Sequence, residues 1–273
     1  MVPLPLDVVR IIFAHTGGRI STDKQTLLSC SHVCRAWTNL AQSFLYRKVS
    51  LDSDQRYDLF RDFLAATPRI AAYVREFEIY GAYADTYPLP PFLLLEILEL
   101  LPHIELVSLD NITVLGWPAY NPYPDEPFKL RRLRLVGLTN GPYFNRHCMR
   151  FDLLRLFELD WLTCVGNENS DEIVGRAVVS RRGVPSPVVR RLDVCGRDCF
   201  LDFNEKSGGG LNADELRTVY VEAGELAEVK YGGRVLKRYA QSIRHVLLDL
   251  CMYARQKPKK KSAWCVRIAV DRC

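Results

Sequence analysis

The sequence predicts an α/β protein: an N-terminal three-helix module at 1–50, a helical linker at 51–72, and an irregular array of strand-bearing repeats at 73–273 sharing a parallel sheet. Three observations lead there. Apolar residues recur at helical spacing through the first 49 residues, one three-residue apolar signature returns seven times after residue 73, and helix-capable segments stand between its copies.

Pro5 and Asp7 set a first helical turn, and Val8, Val9, Ile11, Ile12 and Phe13 carry it on until Gly17 and Gly18 break the pattern. A long polar loop from Thr16 to Gln25 is expected next. At Thr26 a second apolar run starts, Leu27-Leu28-Ser29-Cys30, and continues through Val33-Cys34-Arg35-Ala36-Trp37 to Leu40, Ala41, Phe44 and Leu45. A unit of about 45 residues hides only a modest fraction of its surface, so something outside it is expected to cover part of these groups. Beyond it, Asp52 to Asp54 open a linker helix in which Tyr57, Phe60, Phe63 and Leu64 repeat at three and four until Thr67-Pro68 stops it.

The repeat signature is an apolar residue at i, i+3 and i+5. It reads as Val74/Phe77/Ile79, Ile104/Val107/Leu109, Leu130/Leu133/Leu135, Leu154/Phe157/Leu159, Val189/Leu192/Val194, Leu216/Val219/Val221 and Ile243/Val246/Leu248. The starts are separated by 30, 26, 24, 35, 27 and 27 residues, the excess falling in insertions such as 117–127 and 179–187. Residues i+3 and i+5 share one face of a short strand, which turns their neighbours outward. Helix-capable segments are Pro91 to Leu101, Asp171 to Arg182 and Glu225 to Ser242. At the end, Gln256 to Lys261 is a basic run, and Trp264, Val266, Ile268 and Val270 alternate as a terminal strand would.

Composition limits the function. Lys and Arg total 37 against 32 acids, a net charge of +5 that is too small and too diffuse to argue for nucleic acid, although the run at 257–261 could serve nuclear import. No stretch has the length and uniform apolarity of a membrane span, since Glu96 and Glu99 interrupt the best one, and Asp7 and Arg10 spoil a signal peptide. Nine scattered cysteines suit reduced thiols, so a cytoplasmic or nuclear location is expected. Five histidines lack metal-ligand pairing, Cys195 and Cys199 have no second pair, and Gly208-Gly209-Gly210 lacks the Lys-Ser/Thr of a phosphate loop. No catalytic residue, metal or cofactor is expected, and the chain is not read as an enzyme.

The stretch Leu4-Pro5-Leu6-Asp7-Val8-Val9 with Ile12-Phe13, then Leu27-Leu28, then Val33-Cys34-Arg35-Ala36-Trp37 and Leu40-Ala41 resembles the F-box motif. Phe44-Leu45-Tyr46-Arg47-Lys48-Val49 is similar to the extension of many fungal members. The resemblance implies docking on the Skp-type adaptor of an SCF (Skp, cullin, F-box) ubiquitin ligase. Leu4, Pro5, Val9, Ile12, Leu27, Leu28, Val33, Cys34, Trp37 and Leu40 are the adaptor-binding residues it implies.

The seven triads, in turn, resemble the irregular leucine-rich-repeat regions that accompany many F-boxes. One element departs from that pattern: the Asn or Cys expected three residues past the strand is Ile112, Leu138, Leu162, Arg197 and Gly224 in five copies, and only Cys251 fits. In such an array the outward strand residues line one face, here Glu76, Glu78, Arg132, Arg134, Glu158, Asp160, Arg191, Asp193, Tyr220, Glu222, His245 and Asp249. Their mixed charge favours a protein target, and Arg132, Arg134, Glu158, Asp160, Arg191, Asp193, Tyr220 and Glu222 are the candidate target-binding residues. The alternative is a repeat scaffold whose first helices are only a cap.

Overall fold

The computed structural model describes residues 5–16, 21–52, 56–81, 88–115, 124, 126–137, 139–140, 153–166, 187–195, 211–212, 214–223, 226–253 and 263–271. Three helices open the chain: α1 (Leu6–Thr16), α2 (Ser21–Ser31) and α3 (Arg35–Leu45). The loop expected as far as Gln25 is shorter, because α2 begins at Ser21. Its first turn is too polar to carry an apolar period, and only backbone geometry reveals it. Val9, Phe13, Leu27 and Ala41 form the core of this module, with Phe13 edge-on to Trp37 at 5.8 Å and to Phe44 at 6.1 Å. The Thr38 hydroxyl donates to the Ser31 carbonyl at 2.6 Å, tying α3 to the end of α2.

Two residues later the chain enters β1 (Lys48–Asp52), which pairs in parallel with β2 (Glu76–Tyr80). The sheet therefore starts inside the stretch read as the end of the helical module. Tyr46/Val49/Leu51 repeats the i, i+3, i+5 spacing, and Val49 and Leu51 lie opposite Phe77 and Ile79. Between these strands run α4 (Tyr57–Ala66) and α5 (Pro68–Ala71), in place of the single linker helix expected. Thr67 separates the two, and Pro68 starts α5 where its missing N–H costs nothing.

The remaining strands are β3 (Leu106–Asp110), β4 (Thr113–Val114), β5 (Phe128–Val136), β6 (Thr139–Asn140), β7 (Phe157–Val165), β8 (Val188–Cys195), β9 (Thr218–Ala223), β10 (His245–Tyr253) and β11 (Ala263–Asp271). Among the described residues, nine of them form one mixed, mostly parallel sheet in the order β1-β2-β3-β5-β7-β8-β9-β10-β11, and β4 pairs with β6. The terminal strand departs from the expected all-parallel sheet: β11 runs antiparallel to β10, with Val246 opposite Val270 and Leu248 opposite Ile268. Among the described residues two helices supply further cover, α6 (Pro91–Glu99) and α7 (Leu226–Arg238), and the segment 171–182 lies outside them.

The triads are the core of this sheet. Phe77, Val107, Leu133, Leu162, Leu192 and Val219 are aligned strand to strand and fully buried, and Leu94, Ile97 and Leu98 of α6 belong to the same apolar cluster. One triad is corrected by the register. Leu162 and Cys164, not Phe157 and Leu159, stand beside Leu133/Leu135 and Leu192/Val194. The fourth copy is thus Leu159/Leu162/Cys164, which replaces the uneven intervals of 24 and 35 by 29 and 30.

The turn after each strand also repeats. At i+7 stand Gly81, Asn111, Gly137 and Gly166, and each N–H donates to the last strand residue of the next repeat, the acceptors being the carbonyls of Asp110, Val136, Val165 and Cys195. Asn111 and Gly137 adopt φ of +50° and +53°, the left-handed region that Gly and Asn tolerate best. These positions satisfy turn backbone where the expected Asn or Cys is missing.

Candidate functional site

Two surfaces stand out from this scaffold. The first lies on the helices. In α1, Val9 and Phe13 point inward, whereas Leu6, Val8, Ile11 and Ile12 are largely exposed, so the helix carries a second apolar stripe that its own module does not cover. In α2, Leu27 is 1% exposed and its neighbour Leu28 50%. Val33, in the turn to α3, is 62% exposed. Of the twelve large apolar side chains that are strongly exposed among the described residues, six fall between Leu6 and Val33, a concentration that marks a contact surface rather than scatter.

The structure divides the sequence-derived adaptor set accordingly. Pro5, Ile12, Leu28, Val33 and Cys34 are exposed, and Trp37 and Leu40 are half-buried against the core. Val9 and Leu27 are buried within the module and hold that surface from beneath, because helical phase turns them toward Phe13 and Ala41. Leu4 lies outside the described residues. Sequence reasoning passed over Leu6, Val8 and Ile11, whose spacing of i, i+3 and i+4 from Val8 to Ile12 was the available signal.

The second surface is the polar face of the sheet. Strand register sorts its charges into rows. One residue past each triad start come Arg47, Arg75, Arg131, Arg190, Arg217 and Arg244, interrupted only by Glu105 and Asp160. At the far ends of the strands the corresponding row holds Asp52, Asp110, Glu222 and Asp249, with Arg267 of β11 opposite Asp249 as its one cation among the described residues. The face therefore runs from basic to acidic across five residues, about 16 Å of strand. Glu105 lies 3.4 Å from Arg131 and 4.0 Å from Arg75, and Arg190 donates to Asp160 at 2.7 Å and to Glu158 at 2.6 Å.

At the centre of this face is a residue absent from the sequence-derived set. Trp161 of β7 stands in register between Arg132 of β5 and Arg191 of β8, whose guanidinium carbons lie 3.8 and 4.0 Å from its ring centre. Its Nε1–H donates to Asp193 at 2.8 Å, and Arg191 donates to the same carboxylate at 3.0 Å. Arg132 makes no ion pair among the described residues, and its Nε is buried without an acceptor. Desolvation, with Arg134 and Arg191 close by, holds its pKa below the usual arginine range although Asp193 opposes the shift. Buried Asp110 Oδ1 and Thr163 Oγ1 also lack partners among the described residues. Desolvation raises the Asp110 pKa, and Arg134, 3.8 Å away, offsets it only in part.

The corrected register explains the omission. With Leu159/Leu162/Cys164 as the core, Trp161 and Thr163 take the two outward positions that had been assigned to Glu158 and Asp160. Those two acids lie nearer the strand starts, both bound by Arg190. Arg132, Arg134, Arg191 and Asp193 share the central rows with Trp161 and Thr163, Tyr220 follows in the Asp193 row 3.5 Å from Asp249, and Glu222 belongs to the acidic end.

Among the described residues no group of His, Cys, Asp and Glu could hold a metal ion, and no helix is long and apolar enough to cross a membrane. No curated protein and no solved structure matches the chain. Residues 2–52 match the family model F-box-like, and with α1, α2, α3 and β1 inside that span, this part of the chain is an F-box-like domain.

Proposed function

We propose that the chain is a substrate-recognition subunit of an SCF-type ubiquitin ligase. The F-box-like domain docks a Skp-type adaptor, and through it the cullin ligase, with the exposed apolar face of Pro5, Leu6, Val8, Ile11, Ile12, Leu28 and Val33. The single observation that carries this is the coincidence of the F-box-like match with that uncovered face. The sheet, read as an irregular leucine-rich-repeat-like array with a fungal-type junction at Phe44 to Val49, holds the target protein. The chain does no chemistry and needs no cofactor; it raises the effective concentration of target lysines near the conjugating enzyme. It acts in the cytoplasm, the nucleus or both, without nucleic acid or membrane.

The test is to mix the full chain with a Skp-type adaptor and follow both by size-exclusion chromatography. Co-elution at micromolar concentration is the expected result. Should no binding be measurable at tens of micromolar, the ligase reading fails. The repeat-scaffold reading then replaces it, supported by a charged sheet face that needs no adaptor.

A further inference from the structure

We infer that the Arg132–Trp161–Arg191 stack is the receiving point for an acidic peptide segment of the target, bound extended across the strands with carboxylates two residues apart. The inference rests on the reading of the sheet face as the target-binding surface.

The argument begins with what the stack does. Both faces of the Trp161 indole are covered, one by each guanidinium, so the ring is a spacer and not a platform for a ligand ring. Its Nε1 bond to Asp193 fixes the ring plane, and the ring in turn fixes the two arginines. Freezing two long side chains before a ligand arrives removes an entropy cost from binding. The guanidinium carbons lie 3.8 Å from the ring centre on the β5 side and 4.0 Å on the β8 side, hence about 8 Å apart. Alternate side chains of an extended peptide are spaced about 7 Å apart and point the same way. Carboxylates at i and i+2 of such a segment therefore meet the two forks together, each fork being shaped for a carboxylate.

Charge selects the sign of the ligand. Arg191 already shares Asp193, whereas Arg132 feels that carboxylate only from beyond ion-pair distance and, among the described residues, has no ion pair of its own and no acceptor for its Nε. A partly desolvated cation is costly without an anion beside it, and a ligand carboxylate supplies both the charge and the acceptor. Thr163, two residues past Trp161 on the same face of β7, holds a further hydroxyl with no partner among the described residues. Toward the strand starts Arg131 and Arg190 are already paired with Glu105 and with Glu158 and Asp160, which leaves Arg132 as the cation to be met, while Asp110 and Glu222 at the other end repel an acidic segment that slides that way. An anionic peptide is thus held in one row of the face. A nucleic acid strand would need a basic track along its whole path, and Glu105, Glu158 and Asp160 break the arginine row by pairing with Arg131 and Arg190.

The test uses the full chain and a fluorescently labelled decapeptide of alternating Glu and Ser, with Gln/Ser and oligouridylate probes of equal length as controls. Anisotropy is expected to show saturable binding of the Glu/Ser peptide that weakens with salt, and none of the Gln/Ser peptide. Arg132→Gln is expected to weaken it at least tenfold with an unchanged melting temperature, since Arg132 has no ion pair to lose among the described residues. Trp161→Phe, which keeps an aromatic spacer but loses the bond to Asp193, is expected to weaken it severalfold. Any of three results overturns the inference: no saturation up to about 1 mM, Arg132→Gln binding as wild type does, or oligouridylate binding more tightly than the peptide. Adaptor co-elution run on the same preparations separates the two claims. Adaptor binding without peptide binding sinks the acidic-segment inference alone, and peptide binding without adaptor binding sinks the ligase reading alone.

Discussion

Leu27 and Leu28 are neighbours with opposite fates, and replacing each gives the most direct test of the docking face. Fully burying a leucine side chain contributes roughly 1.5–3 kcal/mol. Leu28 is 50% exposed, so about half of that, roughly 1 kcal/mol, is still available when a partner covers it. Leu28→Asp forfeits this contribution and also forces a carboxylate into an apolar contact, whose desolvation adds several kcal/mol unless the contact rearranges. A loss of at least about 2 kcal/mol, roughly thirtyfold in Kd for the adaptor, is the conservative expectation. The fold loses little, about 0.5 kcal/mol in helix propensity. Leu27→Ala, at 1% exposure among Val9, Phe13 and Ala41, removes core volume and is expected to cost roughly 2–5 kcal/mol of module stability. Circular dichroism melts paired with calorimetric titration against the adaptor give both readouts. The assignment of an outward Leu28 is refuted if Leu28→Asp binds within threefold of wild type, or if it melts the helices as Leu27→Ala does.

Further predictions address the sheet. Gly137→Ala places a Cβ 2.2 Å from Asn111 Oδ1 at a φ of +53°, and is expected to cost about 1–2 kcal/mol and lower Tm by a few degrees; an unchanged melt would rule out the left-handed turn. Burial raises the Asp110 pKa, so its carboxylate is neutral in both states at low pH, and the folded protein loses stability as pH rises through the folded value. Asp110→Asn is therefore expected to melt higher than wild type at neutral pH, with the difference vanishing as pH falls below the ordinary aspartate range; a gain that persists in acid would contradict the assignment. Truncation before Ala263 removes β11 and leaves β10 as the open edge, which should lower both Tm and solubility, and a superimposable melt with unchanged light scattering would show the strand dispensable.

The triad spacing made the sheet legible, because every strand must turn its i+3 and i+5 residues into one core. It failed once for a definite reason. Leu159 closes one apolar triad, Leu154/Phe157/Leu159, and opens another, Leu159/Leu162/Cys164, and hydrophobicity alone does not choose between them. The interval to the neighbouring copies does choose, since only the second keeps them 29 and 30 residues away. Trp161 was hidden by that slip. The first strand was hidden by a different one: Tyr46/Val49/Leu51 obeys the repeat pattern but sits where the helical module was expected to end. On the helices, the identity of the apolar residues was legible and their direction was not. Val8 and Val9 differ by 100° of helix rotation, and choosing between two apolar stripes requires the partner helices that only the folded module supplies.

Only Tyr46 and Arg47 separate α3 from β1, and that junction sets a bearing. The Arg47 carbonyl accepts from the N–H groups of Arg75 and Glu76 at 2.8 and 2.9 Å, and Arg69 beyond α4 donates to Asn39 and Gln42 of α3. A two-residue joint clasped from both sides leaves no slack for the helices to swivel against the first strand. Whatever grips the helices thus sees the arginine rim from one compass direction. Lengthening the joint by a few glycines would leave each surface intact and scramble only the angle between them, so a defect confined to that insertion would be one of aim.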